Sequence, residues 1–561
     1  MDGLLRNLLY LSYGVYLLLN STTIRAQTIP AGSTLVEDAI RRNELKGLYK
    51  ELNTSMIRPV KTVLRSNYDS LMYQATGILP TSALPLLKRK GSWRLLPASL
   101  QQQYNTHHSF GWNDGSLYPA NGYQLRATAG IYAELGLFSL QLQPEFIVAE
   151  NKSSPGFSRA QSDSAWYYYY EFLNSIDKPE QFGRGSISKL FPGQSSLRIN
   201  YAGMSLGLSS ENLWWGPGTR NALIMSNNAP GFYHLTFNST RPHKTFLGKF
   251  EWQLIAGRLE NSGILPPDTN RLFEGAPLYQ PKPAANRYIN AMVVNWQPKW
   301  VNGLELGFIR SFFQYANTIQ PGLNGYLPVF TAFFKGNARD ENSFGRDQLL
   351  SFYFRWIFEK EQAEIYGEWG RNDHAGNLTD FLQEPEHSRA YIIGIRKLFT
   401  RDRKKDLEFF TELTHLQVPG TVMLRALQPW YAHYQVRHGY THQGQVLGAG
   451  IGPGSSSQSI GLNWHYENKT RFRLLFERIV RNNDFYYKAF NNTGNFNSHW
   501  VDLVLHGAKT WQQKRWLITA NISVIRSFNY QWRHKEQPAT LDNQKENINH
   551  AQVGLNFGYL F

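Results

Sequence analysis

One short segment of the chain combines residue types that could bind a sugar. Residues 211–230 read ENLWWGPGTRNALIMSNNAP, in which two tryptophans precede a Gly-Pro-Gly turn and a pair of asparagines follows. Tryptophan offers a flat apolar face on which a sugar ring could stack, and asparagine both donates and accepts hydrogen bonds to hydroxyl groups. Arginine could bind an acidic sugar through paired hydrogen bonds. The candidate glycan-binding residues are Asn212, Trp214, Trp215, Arg220, Asn227 and Asn228.

The same segment also has a purely structural interpretation. Gly216-Pro217-Gly218 would fix a turn, and asparagines often cap turns. Tryptophans are common in the aromatic girdles of membrane barrels. Because successive side chains of an extended strand point to opposite faces, Trp214 and Trp215 are not expected to face one ligand together. The aromatic run WYYYYEF, residues 166–172, has the same two interpretations.

Motifs for catalysis and for metal binding are scarce. The chain has no HExxH, GxSxG or GxxxxGK[ST] motif, and without cysteine it has no thiolate ligand or nucleophile. The stretch GAGIGPGSSS, residues 448–457, lacks the GxGxxG spacing and is interpreted as a flexible loop at a strand end. Glu364 and Glu368 are better explained as partners of arginines inside a barrel than as an acid/base pair. We therefore expect no enzyme, no metal site and no cofactor; the histidines weighed as metal ligands are His107, His108, His433, His438 and His442.

The composition favours a protein that crosses a membrane with strands. Of 561 residues, 14% are aromatic and only 18% are charged, below the ~25% typical of soluble domains, while mean hydropathy is −0.43. Many aromatics, few charges and no long apolar run fit a transmembrane β-barrel, whose strands are apolar on one face. The net charge of +16 is scattered, apart from a short basic run at 401–405, so a nucleic-acid partner is not expected. A basic surface could attract acidic polysaccharide or lipid headgroups.

The N-terminal residues have the features of a secretory signal peptide. Arg6 precedes an apolar stretch at residues 8–19, which is too short to span a membrane as a helix. We place cleavage after Ala26.

A helical pattern follows the predicted signal peptide, from Ser33 to about Tyr73. Thr34 and Glu37 have the spacing of a capping box. Leu45, Leu48, Leu52 and Met56 recur at spacings of three and four, which predicts one apolar stripe on a helix, and Pro59 should end or kink that helix.

Beyond about residue 121 the apolar period changes to two. In LSFYFRWIF, apolar side chains occupy the even-numbered positions from Leu350 to Phe358, whereas Ser351, Tyr353 and Arg355 alternate with them. A polar turn and a second alternating stretch complete a hairpin, which alone does not distinguish a membrane barrel from a soluble sandwich. We expect roughly 16–20 strands of membrane-spanning length; further examples lie at 197–201, 246–254, 304–308, 387–398, 404–416, 457–466, 470–481, 498–508 and 513–527.

The last residues resemble the C-terminal signal of bacterial outer-membrane barrels. The chain ends AQVGLNFGYLF, with a glycine, alternating apolar residues and a terminal Phe561. We therefore predict the outer membrane of a Gram-negative bacterium as the location. The expected divisions are a signal peptide at 1–26, a helical and irregular periplasmic region at 27–120, and the barrel at 121–561.

Four segments together resemble the Wzi family of outer-membrane capsule assembly proteins. The central one is SSENLWWGPGTRNALIMSNNAPGF at 209–232. NSIDKPEQFG at 174–183 and PGQSSLRINYAGMSLGLSSEN at 192–212 lie upstream of it, and YTHQGQVLGAGIGPGS at 440–455 lies downstream.

The resemblance implies an all-β, antiparallel transmembrane barrel of about 18 strands with a small helical section at its periplasmic end. It also implies lectin-like attachment of capsular polysaccharide to the cell surface. The expected partners are capsular or extracellular polysaccharide, outer-membrane lipid and, during biogenesis, the barrel assembly machinery. The alternatives are an outer-membrane porin, which needs an open lumen, and an outer-membrane hydrolase, for which a catalytic set is missing.

Overall fold

A computed structural model describes most of the chain that follows the predicted signal peptide. The described residues are 27–48, 54–62, 65–87, 90–331, 345–372, 378–402, 405–419, 428–490, 498–532 and 546–561. The predicted signal peptide and Leu52 lie outside the described residues.

The described chain forms a closed antiparallel barrel of 18 strands, as expected. Each strand pairs with the next along the chain, and the last strand pairs with the first. The strands, numbered β1–β18, are Gly91–Asn105, Gly122–Leu135, Phe138–Leu142 with Glu145–Ala149, Ile187–Phe191 with Ser196–Tyr201, Met204–Ser209, His234–Ser239 with His243–Thr245, Gly248–Leu259, Arg287–Pro298, Leu304–Tyr315, Arg346–Phe358, Ala363–Asn372, Arg389–Asp402, Lys405–His415, Ser456–Tyr466, Arg471–Val480, Val501–Gln513, Trp516–Phe528 and Ile548–Tyr559.

The helices are short, and none of those described forms part of the barrel wall. Within the described residues, α1–α6 are Thr34–Leu45, Arg65–Thr76, Asp163–Asn174, Leu323–Tyr326, Leu378–Gln383 and Asn483–Phe490. Single 3₁₀ turns occur at Ala316–Thr318, Pro328–Phe330 and Tyr530–Trp532. Short strand pairs join Gln27–Ile29 to Val60–Thr62, Ile57–Arg58 to Trp214–Trp215, Leu272–Phe273 to Ala276–Pro277 and Thr441–His442 to Gln445–Val446, and Leu84–Leu86 lies against β1. Over the described part of the chain, no helix has the length and apolar character needed to cross a membrane.

The alternating strands place apolar side chains outside the barrel and polar ones inside. On β10, Phe352 and Phe354 are 45% and 40% exposed on the outer surface, whereas Arg355 on the inner surface is fully buried. Phe358 pairs with Ala363 on β11, so the predicted hairpin and its turn are confirmed. An apolar outer face and a charged inner face are typical of a transmembrane barrel.

The two ends of the barrel differ. Tight turns join β2 to β3, β10 to β11 and β16 to β17 at one end, while long loops such as 150–186 and 416–455 lie at the other. Short turns face the periplasm in outer-membrane barrels and long loops face outward. The α1 helix lies at the short-turn end, where Lys46 Nζ is 2.6 Å from Asp406 Oδ2, and this confirms a small periplasmic helical section.

The helical pattern predicted from Ser33 to about Tyr73, with an end or kink at Pro59, is only partly correct. The chain forms two helices, α1 and α2, separated by extended backbone. Ser33 rather than Thr34 occupies the N-cap position of α1, without a capping hydrogen bond from its side chain, and Glu37 accepts a hydrogen bond from the backbone of Gly32 at 2.8 Å. The apolar stripe fails because Leu48 is 65% exposed and Met56 is buried in a turn rather than in a helix. Backbone pairing of the extended segment with distant strands outweighs its local helical periodicity.

The barrel begins earlier than expected. The predicted boundary at residue 121 is too late, because β1 spans Gly91–Asn105 and pairs with both β2 and β18. This strand contains Pro97, and its pairing with β2 shifts register between Leu96 and Ser99. Proline and a bulge inside a strand weaken the sequence signal for that strand.

Candidate functional site

The segment that contains the two tryptophans folds into the barrel lumen. We call residues 210–232 the plug segment. Trp215 is fully buried in the largest apolar cluster, and its Nε1 donates to Gln253 Oε1 at 3.1 Å. Trp214 lies in a separate cluster, with the guanidinium of Arg58 4.8 Å from the centre of its ring. The two rings therefore face different surroundings, as strand alternation predicted.

A carboxylate on the barrel wall holds the turn of the plug segment. The backbone amides of Thr219, Arg220 and Asn221 donate to the carboxylate of Glu412 on β13, at 2.6, 3.0 and 2.9 Å. Tyr366 on β11 donates its hydroxyl to the same carboxylate at 2.9 Å. An irregular loop inside a barrel needs partners for its backbone, and wall side chains supply them.

The two wall glutamates that the sequence singled out have different roles. Glu364 pairs with arginines, as predicted, including Arg355 at 2.6 Å and Arg396 at 3.4 Å. Glu368 instead accepts hydrogen bonds from the hydroxyl of Ser351 at 2.8 Å and the backbone of Leu223 at 3.2 Å. Both carboxylates are buried and serve the packing of the lumen.

The three candidate asparagines of the plug segment bind backbone. Asn212 donates its side-chain amide to the carbonyl oxygen of Ala229 within the plug segment at 2.8 Å, whereas Asn227 and Asn228 donate theirs to carbonyl oxygens of other loops at 2.9 and 2.8 Å. All three are buried. Asn227 and Asn228 hold the plug segment to neighbouring loops and Asn212 links the two ends of the segment, which matches the structural interpretation of the sequence.

Arg220 forms a planar ion pair with the wall. Its Nε and Nη2 donate to the two carboxylate oxygens of Glu477 on β15, both at 2.8 Å. The guanidinium also lies 5.0 Å from the ring centre of Trp112. The paired hydrogen bonds that could have met an acidic sugar are thus made to a residue of the barrel.

A cavity of about 510 Å³ lies between the lumenal segments and the wall formed by β1 and β15–β18. Of the six candidate residues, Arg220 and Asn227 line this cavity, and Asn212, Trp214, Trp215 and Asn228 do not. The structure therefore brings only two of the six residues together at a space that a ligand could occupy.

The cavity is also lined by residues that were not predicted from the sequence. They come from the loop FGWNDG, residues 110–115, which combines the same residue types as the plug segment. Trp112 Nε1 and the Oδ1 atoms of Asn113 and Asn227 have no hydrogen-bond partner among the described residues. Burial raises the pKa of the Asp114 carboxyl, against the opposing effect of Arg126. Amides, an indole and guanidinium groups suit a ligand rich in hydroxyl groups.

Aromatic side chains from several loops form a second feature, at the extracellular end. We call the cluster formed by α3, α6, the hairpin at 272–277 and the turn at Tyr530–Trp532 the aromatic cap. The run WYYYYEF lies on α3; three of its six rings, those of Trp166, Tyr169 and Tyr170, are buried in this cluster, and Tyr168 and Phe172 pack against it partly buried. Tyr167 is 44% exposed on the outside and packs 5.2 Å from Phe273, and Tyr487 on α6 is 42% exposed.

The remaining sequence motifs have structural surroundings. Residues 448–457 form a loop that leads into the first two residues of β14, as predicted, but the loop is buried against the plug segment rather than flexible. Within the described residues, no group of three or more histidine, aspartate or glutamate side chains is placed to hold a metal ion.

Comparisons with known proteins place the chain in a family. The model of the family described as capsule assembly protein Wzi matches residues 98–541. The solved structure of Wzi from Escherichia coli, described as an outer-membrane protein involved in group 1 capsule assembly and a carbohydrate-binding β-barrel, has a TM-score of 0.58 at 12% identity. That alignment covers 96% of this chain and 100% of the Wzi chain.

Two other solved barrels are more distant. OccAB1 from Acinetobacter baumannii has a TM-score of 0.34 at 10% identity, with 86% of this chain and 99% of that chain covered. A BenF-like porin from Pseudomonas fluorescens has a TM-score of 0.36 at 6% identity, with 84% and 99% covered. A comparison with curated proteins gives no match. Because the family model covers most of the chain and the barrel has the same architecture, this chain belongs to the Wzi family of capsule assembly proteins.

Proposed function

We propose that this protein is a non-catalytic outer-membrane component of capsule assembly that binds capsular polysaccharide and retains it at the cell surface. The family match over residues 98–541 carries this proposal. The structurally similar Wzi is described as binding carbohydrate, and the fold here is of the same kind.

The aromatic cap is the surface that we assign to the polysaccharide. A polymer outside the cell meets the long-loop end first, and Tyr167, Phe273 and Tyr487 present ring surface there. An aromatic ring buries a large apolar face at a small cost in side-chain entropy, which suits stacking on a sugar ring. Arg220 and Asn227 keep a secondary role as candidates, because they line the lumenal cavity.

The filled lumen favours this function over that of a porin. In the described part of the chain, α1 lies at the periplasmic end and the plug segment crosses the middle of the barrel. Arg41 connects α1 to the plug segment and to the wall, because it donates hydrogen bonds to the carbonyl oxygen of Pro217 at 2.7 Å and to Glu364 on β11 at 2.5 Å. A solute channel needs an open path through these contacts.

The test is the distribution of polysaccharide between washed cells and medium in a deletion strain. We expect polymer to leave the cells and to appear in the medium in a matching amount, and wild-type protein to reverse this. An unchanged distribution in the deletion strain would refute the proposed function.

Variants locate the binding surface. In the double variant Tyr167→Ala and Tyr487→Ala, loss of two stacking contacts should weaken polymer binding about tenfold. Tyr73→Ala is the matched control, since Tyr73 is also exposed but lies on α2 at the periplasmic end. If the double variant retains polymer as well as the control does, the aromatic cap is not the binding surface.

A further inference from the structure

Two arginines on the outer surface of the barrel lie at the extracellular edge of its apolar band. Arg478 on β15 lies two residues from Phe476 on the same face of the strand, and Arg526 on β17 lies two residues from Val524 on the same face; Phe476 and Val524 are 46% and 53% exposed. The intervening side chain of Glu477 points inward and is buried. Both arginines therefore face the bilayer side of the wall.

The strand register sets both arginines at one height. Arg478 pairs with Leu503 on β16, and Leu503 pairs with Arg526. The two strands that carry the arginines are thus separated by a single strand, or about 10 Å. Each arginine is two residues from the end of its strand, at Val480 and Phe528, where the long loops begin.

Within the part of the chain that the structure describes, these arginines have no carboxylate partner. Arg478 Nη1 donates to Gln458 Oε1 at 2.8 Å, and Arg526 Nη1 donates to Asn549 Oδ1 at 2.9 Å. Both partners are neutral amides on the neighbouring strand. Across the described residues, neither guanidinium forms an ion pair with a carboxylate within 4.0 Å. Each guanidinium carries five N–H donors, so most of them remain available.

We propose that Arg478 and Arg526 together bind a phosphate group on the headgroup of the outer-leaflet glycolipid. A guanidinium matches the geometry of a phosphate through paired hydrogen bonds, which a lysine does not. The position argues for a phosphate carried by a lipid, because exposed apolar side chains lie directly below both arginines. This assignment is independent of polysaccharide binding at the aromatic cap.

The opposite edge of the same wall has a single outward-facing lysine. Lys509 on β16 also faces outward but lies near the periplasmic end, with its Nζ 5.4 Å from the ring of Phe472 and 5.5 Å from that of Trp511. A lysine beside aromatic rings is typical of a side chain that reaches the membrane interface without a specific ligand. Lys509→Ala is therefore a control that removes one outward-facing positive charge from the same wall, to be compared with each single arginine-to-alanine variant.

The experiment measures the lipid that stays bound to the purified, detergent-solubilised full-length protein. Bisphosphorylated lipid A and its dephosphorylated form are each added, and the protein–lipid complexes are counted by native mass spectrometry. Wild type should prefer the phosphorylated form, and Arg478→Ala with Arg526→Ala should lower its binding at least about tenfold, as expected when hydrogen bonds to a charged group are lost. Lys509→Ala should bind as wild type does, and Arg478→Lys with Arg526→Lys should bind to an intermediate degree.

Other outcomes would overturn the assignment. Equal binding of the two lipid forms by wild type would show that phosphate is not recognised. Unchanged binding by the double alanine variant would place the lipid elsewhere. Displacement of the lipid by inorganic phosphate at equal concentration would show a site for free phosphate rather than for a lipid headgroup. Retention of the heat-modifiable gel mobility of a folded barrel confirms that each variant is folded, and a variant that lacks it is replaced by the corresponding glutamine substitution.

Discussion

The carboxylate of Glu412 should control the stability of the turn in the plug segment. Inside the barrel it accepts hydrogen bonds from three successive backbone amides, those of Thr219, Arg220 and Asn221, and from one tyrosine hydroxyl. In Glu412→Ala these donors lose their partner, and each unsatisfied buried donor costs about 1–3 kcal/mol. Water that enters the vacated space recovers part of this, so we expect the turn to open more easily by about 3–4 kcal/mol in total.

Hydrogen exchange measures this local opening. Since about 1.4 kcal/mol corresponds to a factor of ten, exchange of the amides at 219–221 should accelerate by roughly two to three orders of magnitude in Glu412→Ala. The exchange rate of these amides in Glu412→Gln should lie between those of Glu412→Ala and wild type, because the remaining carbonyl oxygen can still accept hydrogen bonds. The barrel strands should keep their protection.

Glu251→Ala is the matched control for this prediction. Glu251 is also a buried wall carboxylate, on β7, and accepts the backbone amide of Thr54 at 3.1 Å. Its loss should accelerate exchange near residue 54 and leave the amides at 219–221 protected. If Glu412→Ala changes exchange at 219–221 less than about tenfold in a folded barrel, the carboxylate does not hold the turn.

Three further substitutions have defined outcomes. Burial raises the pKa of Asp484 on α6 to about 7, so the carboxyl stays protonated while α6 is packed and ionises when α6 opens. Opening of α6, measured by hydrogen exchange, should therefore become easier as pH rises from about 4 to 7. Asp484→Asn should abolish this pH dependence. Trp215→Ala should destabilise the plug segment by about 3–5 kcal/mol through the cavity it leaves, seen as faster exchange at 213–216 in an intact barrel, whereas full protection there would contradict the packing. The exposed Lys488–Glu171 pair at 2.8 Å should matter little, since Lys488→Ala should change the thermal unfolding of the cap by less than about 1 kcal/mol.

The barrel wall was predictable because its signal is local. The alternation in LSFYFRWIF at 350–358 decides which side chains face lipid, and the structure confirms it residue by residue. The same rule found β12–β17 to within a few residues. It failed at β1, where Pro97 and a register shift interrupt the period.

The lumen was not predictable because its signal is distant along the chain. The sequence marked Trp214, Trp215 and Arg220 as unusual, yet nothing near them shows that Glu412, about 190 residues away, binds the turn. An exposed binding loop and a buried plug need the same turn formers and amides. Their difference lies in which wall carboxylates and arginines meet them, and that depends on the closed barrel.

The seam between β1 and β18 constrains the order in which the molecule can assemble. Those two strands pair from Asn105 with Gln552 to Ala98 with Tyr559, so two segments far apart along the chain must meet to complete the wall. Until they pair, both seam strands have unpaired backbone groups, which cannot remain exposed to lipid. The plug segment is tied to walls on opposite sides, and once the seam has formed the ring around it has no lateral opening. Closure of the seam must therefore be the last step of assembly. A chain truncated before Ile548 would have two unpaired edge strands, which could pair with other chains, instead of a closed barrel wall.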